Sequence, residues 1–170
     1  MLLEPQDLPL SAPQPVQVYP FQLYTDASEH GGGVVAFPET ASGKADHDNS
    51  HVKAWTWSPS QALEHINVLE LNAVERALEW LPNFQQTTLV HIHTDSQVVY
   101  YVLKSLYTKS SALHGGLMKV LSLLVQKNIQ LDISWVPTDL NPADAPSRAA
   151  HNFQSHPTLP EWDQSFLSRD

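Results

Sequence analysis

Leu23-Tyr24-Thr25-Asp26-Ala27-Ser28, followed shortly by Gly31-Gly32-Gly33-Val34-Val35-Ala36-Phe37, is the stretch that decides the fold. An apolar run carries an aspartate to a strand end, and the glycines then turn the chain into a second apolar run. That pattern is a β-hairpin with a carboxylate at its working edge. Acids are disfavoured inside strands, so Asp26 asks for an explanation. Taken alone, it is served as well by a turn-capping role as by a functional one. What recurs downstream tips the balance.

Upstream, residues 1–19 are polar and rich in proline (Pro5, Pro9, Pro13, Pro15), which reads as a linker or the tail of a preceding domain. Strands are expected over 21–26 and 32–37, with a polar loop over 38–50. Residues 52–57 alternate as a third, antiparallel strand whose Trp55 and Trp57 share a face and read as core or sheet-covering. A helix follows over 65–81, where Leu69, Ala73, Ala77 and Trp80 form one stripe and Pro82 ends the run.

A β-branched strand over 87–94 leads into Asp95, and a helix over 96–106 comes next. Gly115-Gly116 mark the start of a further helix that runs to Gln126. Residues 129–136 form the last strand, with Trp135 and Trp80 expected in the core. Asn141-Pro142 reads as an N-cap with proline at the first helical position of a short helix carrying Asp144. Residues 151–170 are a polar C-terminal tail. The order β-β-β-α-β-α-α-β-α defines an α/β fold: a mixed sheet of three antiparallel strands and then parallel ones, flanked by helices.

The 170 residues suffice for one domain with a real core, expected over 20–150. With 42% hydrophobic residues and five tryptophans the chain is globular. The absence of cysteine excludes a disulfide framework, a thiolate metal site and a thiol nucleophile. No apolar stretch is long enough to span a bilayer and no signal-peptide pattern opens the chain, so an intracellular protein or a piece of a polyprotein is expected. The net charge of -9 argues against a free-standing, tightly binding nucleic-acid module. A carboxylate cluster built for cations would supply part of that charge.

Four acids occupy positions that can converge: Asp26 at the first strand end, Glu70 beside an apolar helix stripe, Asp95 at a strand–helix junction and Asp144 in a helix first turn. Each has an ordinary reading, since Asp95 and Asp144 suit a helix dipole and Glu70 suits a partly exposed helix face. Together they point elsewhere. Clustered carboxylates repel and are tolerable chiefly around cations. Oxygen ligands without cysteine select Mg²⁺ or Mn²⁺, and two such ions about 4 Å apart form the clamp used in phosphodiester chemistry.

The motifs Tyr24-Thr25-Asp26-Ala27-Ser28, Val68-Leu69-Glu70-Leu71, His93-Thr94-Asp95-Ser96-Gln97 and Asn141-Pro142-Ala143-Asp144-Ala145-Pro146-Ser147-Arg148 resemble, as a set and in order, those of type 1 ribonucleases H. The likeness is strongest to domains fused to the reverse transcriptases of retroelements and reverse-transcribing viruses. It implies a ribonuclease H-like fold and hydrolysis of the RNA strand of an RNA–DNA hybrid, leaving 5′-phosphate and 3′-hydroxyl ends. It also implies two Mg²⁺ ions, replaceable by Mn²⁺. Asp26 would touch both, Asp144 the ion that activates water, and Glu70 and Asp95 the ion at the leaving oxygen. Asn67, a turn before Glu70, is similar in position to the amide that reads the 2′-hydroxyl. Ser28, Ser96, Gln97 and Arg148 complete the candidate substrate-binding set, although Arg148 is also well placed for a salt bridge on its own helix. The partner would be a reverse transcriptase polymerase domain of the same polyprotein, in the cytoplasm or a virus-like particle.

The sequence departs from the family in two places. The loop Pro137-Thr138-Asp139-Leu140-Asn141 lacks the family's mobile histidine, for which His151 is the alternative. A basic protrusion is also missing, since Lys104, Lys109 and Lys119 are few and spread, so weak hybrid affinity without a polymerase domain is expected. His91 and His93 share strand parity with Asp95 but read as structural or surface residues. Among rivals, a transposase or integrase core would need a late glutamate and an exonuclease an Asp-x-Glu first motif. A RuvC-like nuclease or a catalytically silent scaffold of the same fold stays compatible.

Overall fold

A computed structural model describes residues 16–39, 49–156 and 159. Its strands are β1 (Gln17–Ala27), β2 (Gly31–Pro38), β3 (His51–Thr56), β4 (Thr88–Thr94) and β5 (Ile129–Trp135). Its helices are α1 (Ile66–Trp80), α2 (Gln97–Ser105), α3 (Ser111–Lys127) and α4 (Asp144–Arg148), joined by short 3-10 turns. The five-stranded sheet has the order β3-β2-β1-β4-β5. β1, β2 and β3 pair antiparallel, whereas β1–β4 and β4–β5 are parallel. The expected element order and mixed sheet are those observed.

Alternation along β1 explains the layering. Tyr19, Phe21 and Leu23 are fully buried and join Val90 and Ile92 of β4 and Leu71, Val74 and Leu78 of α1 in the main core. Truncating a fully buried Leu or Ile there to alanine would cost about 2–5 kcal/mol. On the opposite face, α4 packs against β2 where Gly33 leaves room. A Cβ at Gly33 would lie 2.9 Å from Pro146 Cβ and 3.0 Å from the Ser147 backbone nitrogen.

Several boundaries differ from the sequence reading. β1 starts at Gln17, so residues 17–19, expected in the linker, belong to the sheet. Pro20 hid this: it lies where the pairing with β4 shifts register between Val18 and Gln22, a place that needs no N–H from it. α3 starts at Ser111, with Ser110 Oγ accepting from the Leu113 N–H, and the two glycines fall inside it. Gly116 permits close approach of α3 to α1, since a Cβ there would sit 2.8 Å from Leu71 Cδ2.

Asn141 is not the N-cap of α4; that position is Ala143. Asn141 closes the preceding turn instead, with Oδ1 accepting from the Ala143 N–H at 3.0 Å. Trp80 is buried as expected, but Trp135 is 43% exposed because it ends β5 on the rim. Part of the expected tail packs on the domain. The His156 N–H donates to the Val52 carbonyl at 2.9 Å, covering the outer edge of β3, and Leu159 is buried. Residues 1–15 and most of 157–170 lie outside the described residues.

Candidate active site

Sheet register brings the first two acids together. Thr25 of β1 pairs with Thr94 of β4 in parallel, so Asp26 and Asp95, each one residue further on, emerge at the same end of adjacent strands. α1 crosses behind β1 and delivers Glu70. Oxygens of Asp26, Glu70 and Asp95 all lie within 4.8 Å of one another. Asp144 reaches the same groove from α4. This groove, of about 360 Å³, is lined by the four acids with Ser28, Ile66, Thr138 and Arg148 among others.

The inner acids are hostile to charge. Burial pushes the Glu70 carboxyl up to about 10, with the charges of Asp26 and Asp95 adding to it. Burial likewise raises Asp26 to about 7; a hydrogen bond from Ser147 opposes this, and the charges of Asp95 and Asp144 reinforce it. Glu70 Oε2 is buried and has no hydrogen-bond partner among the described residues. An orphaned carboxylate oxygen beside two other carboxylates, all hard donors, fits a divalent cation such as Mg²⁺ or Mn²⁺. Asp26, Glu70 and Asp95 are the residues that would hold it.

Asp144 differs from the other three. Its Oδ1 accepts from Arg148 Nε at 2.9 Å across one helical turn, the salt bridge anticipated for Arg148. Ser28 is buried and donates to the Ser147 carbonyl at 2.6 Å. Ser96 Oγ caps α2 by accepting from the Val99 N–H at 3.2 Å. Asn67 is half-buried, one turn before Glu70, and its N–H donates to His65 Nδ1 at 3.1 Å. Gln97 is exposed and lines a neighbouring groove with Tyr101, Lys104 and Trp135 rather than the acidic one.

His91, His93 and His151 stay apart from the cluster. His91 Nδ1 pairs with Asp132 at 2.8 Å, and His93 stacks on Tyr24 at 4.4 Å with Nε2 against Gln22 Oε1. His151 is exposed in the 3-10 turn Ala150–Asn152 and does not line the acidic groove.

Sequence reasoning missed four supports of the site. Ser147 Oγ donates to Asp26 Oδ2 at 2.6 Å. Asn141 Nδ2 donates to the Thr25 carbonyl at 2.9 Å, tying the α4 turn to β1. Trp57 Nε1 donates to the Ser28 carbonyl at 2.8 Å and Trp135 Nε1 to the Asp95 carbonyl at 3.1 Å. Only the pairing of polar residues with otherwise apolar or proline-rich surroundings signalled them, and it named no partner.

Sheet order, helix placement and a carboxylate cluster at the sheet's end define a ribonuclease H-like fold. The structural comparisons agree. The ribonuclease H1 of the halophilic archaeon Halobacterium salinarum NRC-1 is similar at a TM-score of 0.56 and 20% identity, over 78% of this chain and 97% of that one. LC11-RNase H1, solved in complex with an RNA/DNA hybrid, is similar at 0.53 and 19% identity, over 74% and 91%. LC9-RNase H1, a type 1 enzyme with the type 2 active-site motif, is similar at 0.55 and 12% identity, over 91% and 82%. No protein-family model and no curated protein matches the chain. At these identities the likeness establishes the fold.

Proposed function

We propose that this chain is a ribonuclease H-type endonuclease that hydrolyses the RNA strand of RNA–DNA hybrids. The observation that carries the reading is the convergence of Asp26, Glu70 and Asp95 within 4.8 Å, around a buried Glu70 oxygen that no described residue satisfies. Divalent cations bound there would supply the Lewis-acid activation of water and leaving oxygen used in phosphodiester hydrolysis. Asp26 and Glu70 would hold the buried inner side of the cation site, and Asp95 and Asp144 its outer side along the groove.

Asn67 stands one turn from Glu70 on the same helix, suited to reading a ribose 2′-hydroxyl across a minor groove. Arg148 is 64% exposed at its side chain and lies at the rim, where a phosphate would pass. Ser28 and Ser96 support backbone turns beside the acids, and Gln97 borders the neighbouring groove. The closing Asn141–Arg148 motif supports a place within a reverse-transcribing polyprotein, as a catalytic domain that begins with β1 and acts beside a polymerase domain inside the cell. No helix among the described residues is long and apolar enough to cross a membrane.

An end-labelled RNA–DNA hybrid tests the reading, in Mg²⁺ and in Mn²⁺, with duplex DNA and duplex RNA as controls. Cutting of the hybrid alone, abolished in Asp26→Asn, is the expected result. No cutting in either metal, with or without the polymerase domain, would leave a silent scaffold.

A further inference from the structure

The groove exposes the four acids, but the orientation of Asp26 is set from beneath them. Ser147 is fully buried on α4, one helical turn after Asp144. Its hydroxyl lies 2.6 Å from Asp26 Oδ2 and 2.8 Å from the Asp144 carbonyl. A hydroxyl has one hydrogen, and a carboxylate is the stronger acceptor of the two, so the donation goes to Asp26. One oxygen of Asp26 is thereby held by the protein from beneath.

Ser147 is itself held. Its carbonyl accepts from Ser28 Oγ at 2.6 Å, and the Ser28 carbonyl accepts from Trp57 Nε1 at 2.8 Å. A hydrogen-bonded chain therefore runs from Trp57 on the β3 side through Ser28 and Ser147 to Asp26. Gly33 lets this chain close, since a Cβ there would push on the Ser147 backbone nitrogen at 3.0 Å. Among the ties between β1 and α4, this side chain is the one that reaches the Asp26 carboxylate itself.

We infer that Ser147 is the positioning residue that fixes the Asp26 carboxylate for cation binding and registers the Asp144 helix against it. The inference rests on the reading of the acids as cation ligands. Groups that orient metal ligands from behind contribute about 10–100-fold to affinity, and a buried neutral donor to one carboxylate oxygen belongs at the lower end.

Mn²⁺ titration followed by electron paramagnetic resonance, without nucleic acid, tests it on three folded proteins. In Ser147→Ala the Mn²⁺ affinity should fall about tenfold, and in Ser147→Thr, which keeps the donor, it should stay within about threefold of the parent chain. Asn128→Ala cuts a tie at the far end of the sheet, where its Nδ2 donates to the Phe84 carbonyl at 2.7 Å and its φ of 58° disfavours alanine. It should lower the melting temperature while leaving Mn²⁺ affinity in place. Parental affinity in Ser147→Ala, or an equal loss in Asn128→Ala, would overturn the inference and assign Ser147 a purely structural part. Hybrid cleavage is scored separately: Ser147-dependent Mn²⁺ binding in a chain that cuts no hybrid, with or without the polymerase domain, would refute the ribonuclease reading and leave this inference standing.

Discussion

Asp26 and Glu70 are 4% and 6% exposed and have their backs to the core, whereas Asp95 and Asp144 lie half-buried along the groove. The inner pair is destabilising by construction, because burial raises both carboxyls far above their ordinary range. The outer pair is supported by ordinary surface chemistry: Arg148 bonds the Asp144 side chain, and the Trp135 indole holds the Asp95 backbone. One site thus contains a strained half and a relaxed half. The strained half is where a cation has most to offer, and it is where substitutions should act most strongly.

The largest expected effect lies there. Asp26→Asn or Glu70→Gln should lower hybrid cleavage by about 10³-fold, the scale on which removing one group that stabilises transition-state charge acts. The same Glu70→Gln change should stabilise the domain in chelator. In the folded chain Glu70 keeps its proton up to about 10, against 4.5 when unfolded. Its stabilising contribution is complete below 4.5 and is lost as pH rises through that window, by up to about 1.4 kcal/mol per pH unit. Denaturant unfolding at pH 5, 7 and 9 should show this slope in the parent and a flatter one in Glu70→Gln. Equal slopes would mean the pair is not strained.

Cation binding must also expel the protons of the inner pair, so calorimetry in two buffers of different ionisation enthalpy at pH 7 should show roughly one to two protons released. A release of zero would place the cation on the outer pair alone. Gly33→Ala sharpens the comparison from the opposite face. By displacing α4 it should weaken cleavage and lower the melting temperature together, whereas changes confined to the outer rim should not move stability. The smallest effect is expected for Arg148→Gln: an exposed pair across one helical turn is worth about 0.3–0.5 kcal/mol, so unfolding should barely shift while hybrid affinity drops.

The four acids were legible because each stands where an apolar pattern stops. Strand ends at Asp26 and Asp95, the stripe beside Glu70 and the Asn-Pro turn before Asp144 are all local signals, and the sheet follows from their order. What stayed hidden depended on distant partners. Ser147 is a lone serine in a proline-rich turn until β1 comes beneath it. Trp135 read as core because tryptophan usually is, yet its strand ends at the rim. Pro20 masked the first residues of β1, and the paired glycines of α3 imitated a helix start although Gly116 serves a helix crossing. The side-chain uses of Lys127, whose Nζ donates to the Glu79 carbonyl at 3.1 Å behind α1, had no local signal at all.

The position of β1 at the centre of the sheet has a kinetic consequence. Its partner on one side, β2, follows within a few residues, while its partner on the other, β4, comes only after β3 and α1. A nascent chain can zip the hairpins early but must hold the second edge of β1 open until α1 has docked and β4 is made. Long-range parallel pairing is slow, and an open strand edge beside Tyr19, Phe21 and Leu23 invites pairing with another chain. The stretch that builds the site is therefore also the one most exposed to aggregation during synthesis, which favours production at low temperature or with a chaperone that shields extended apolar segments.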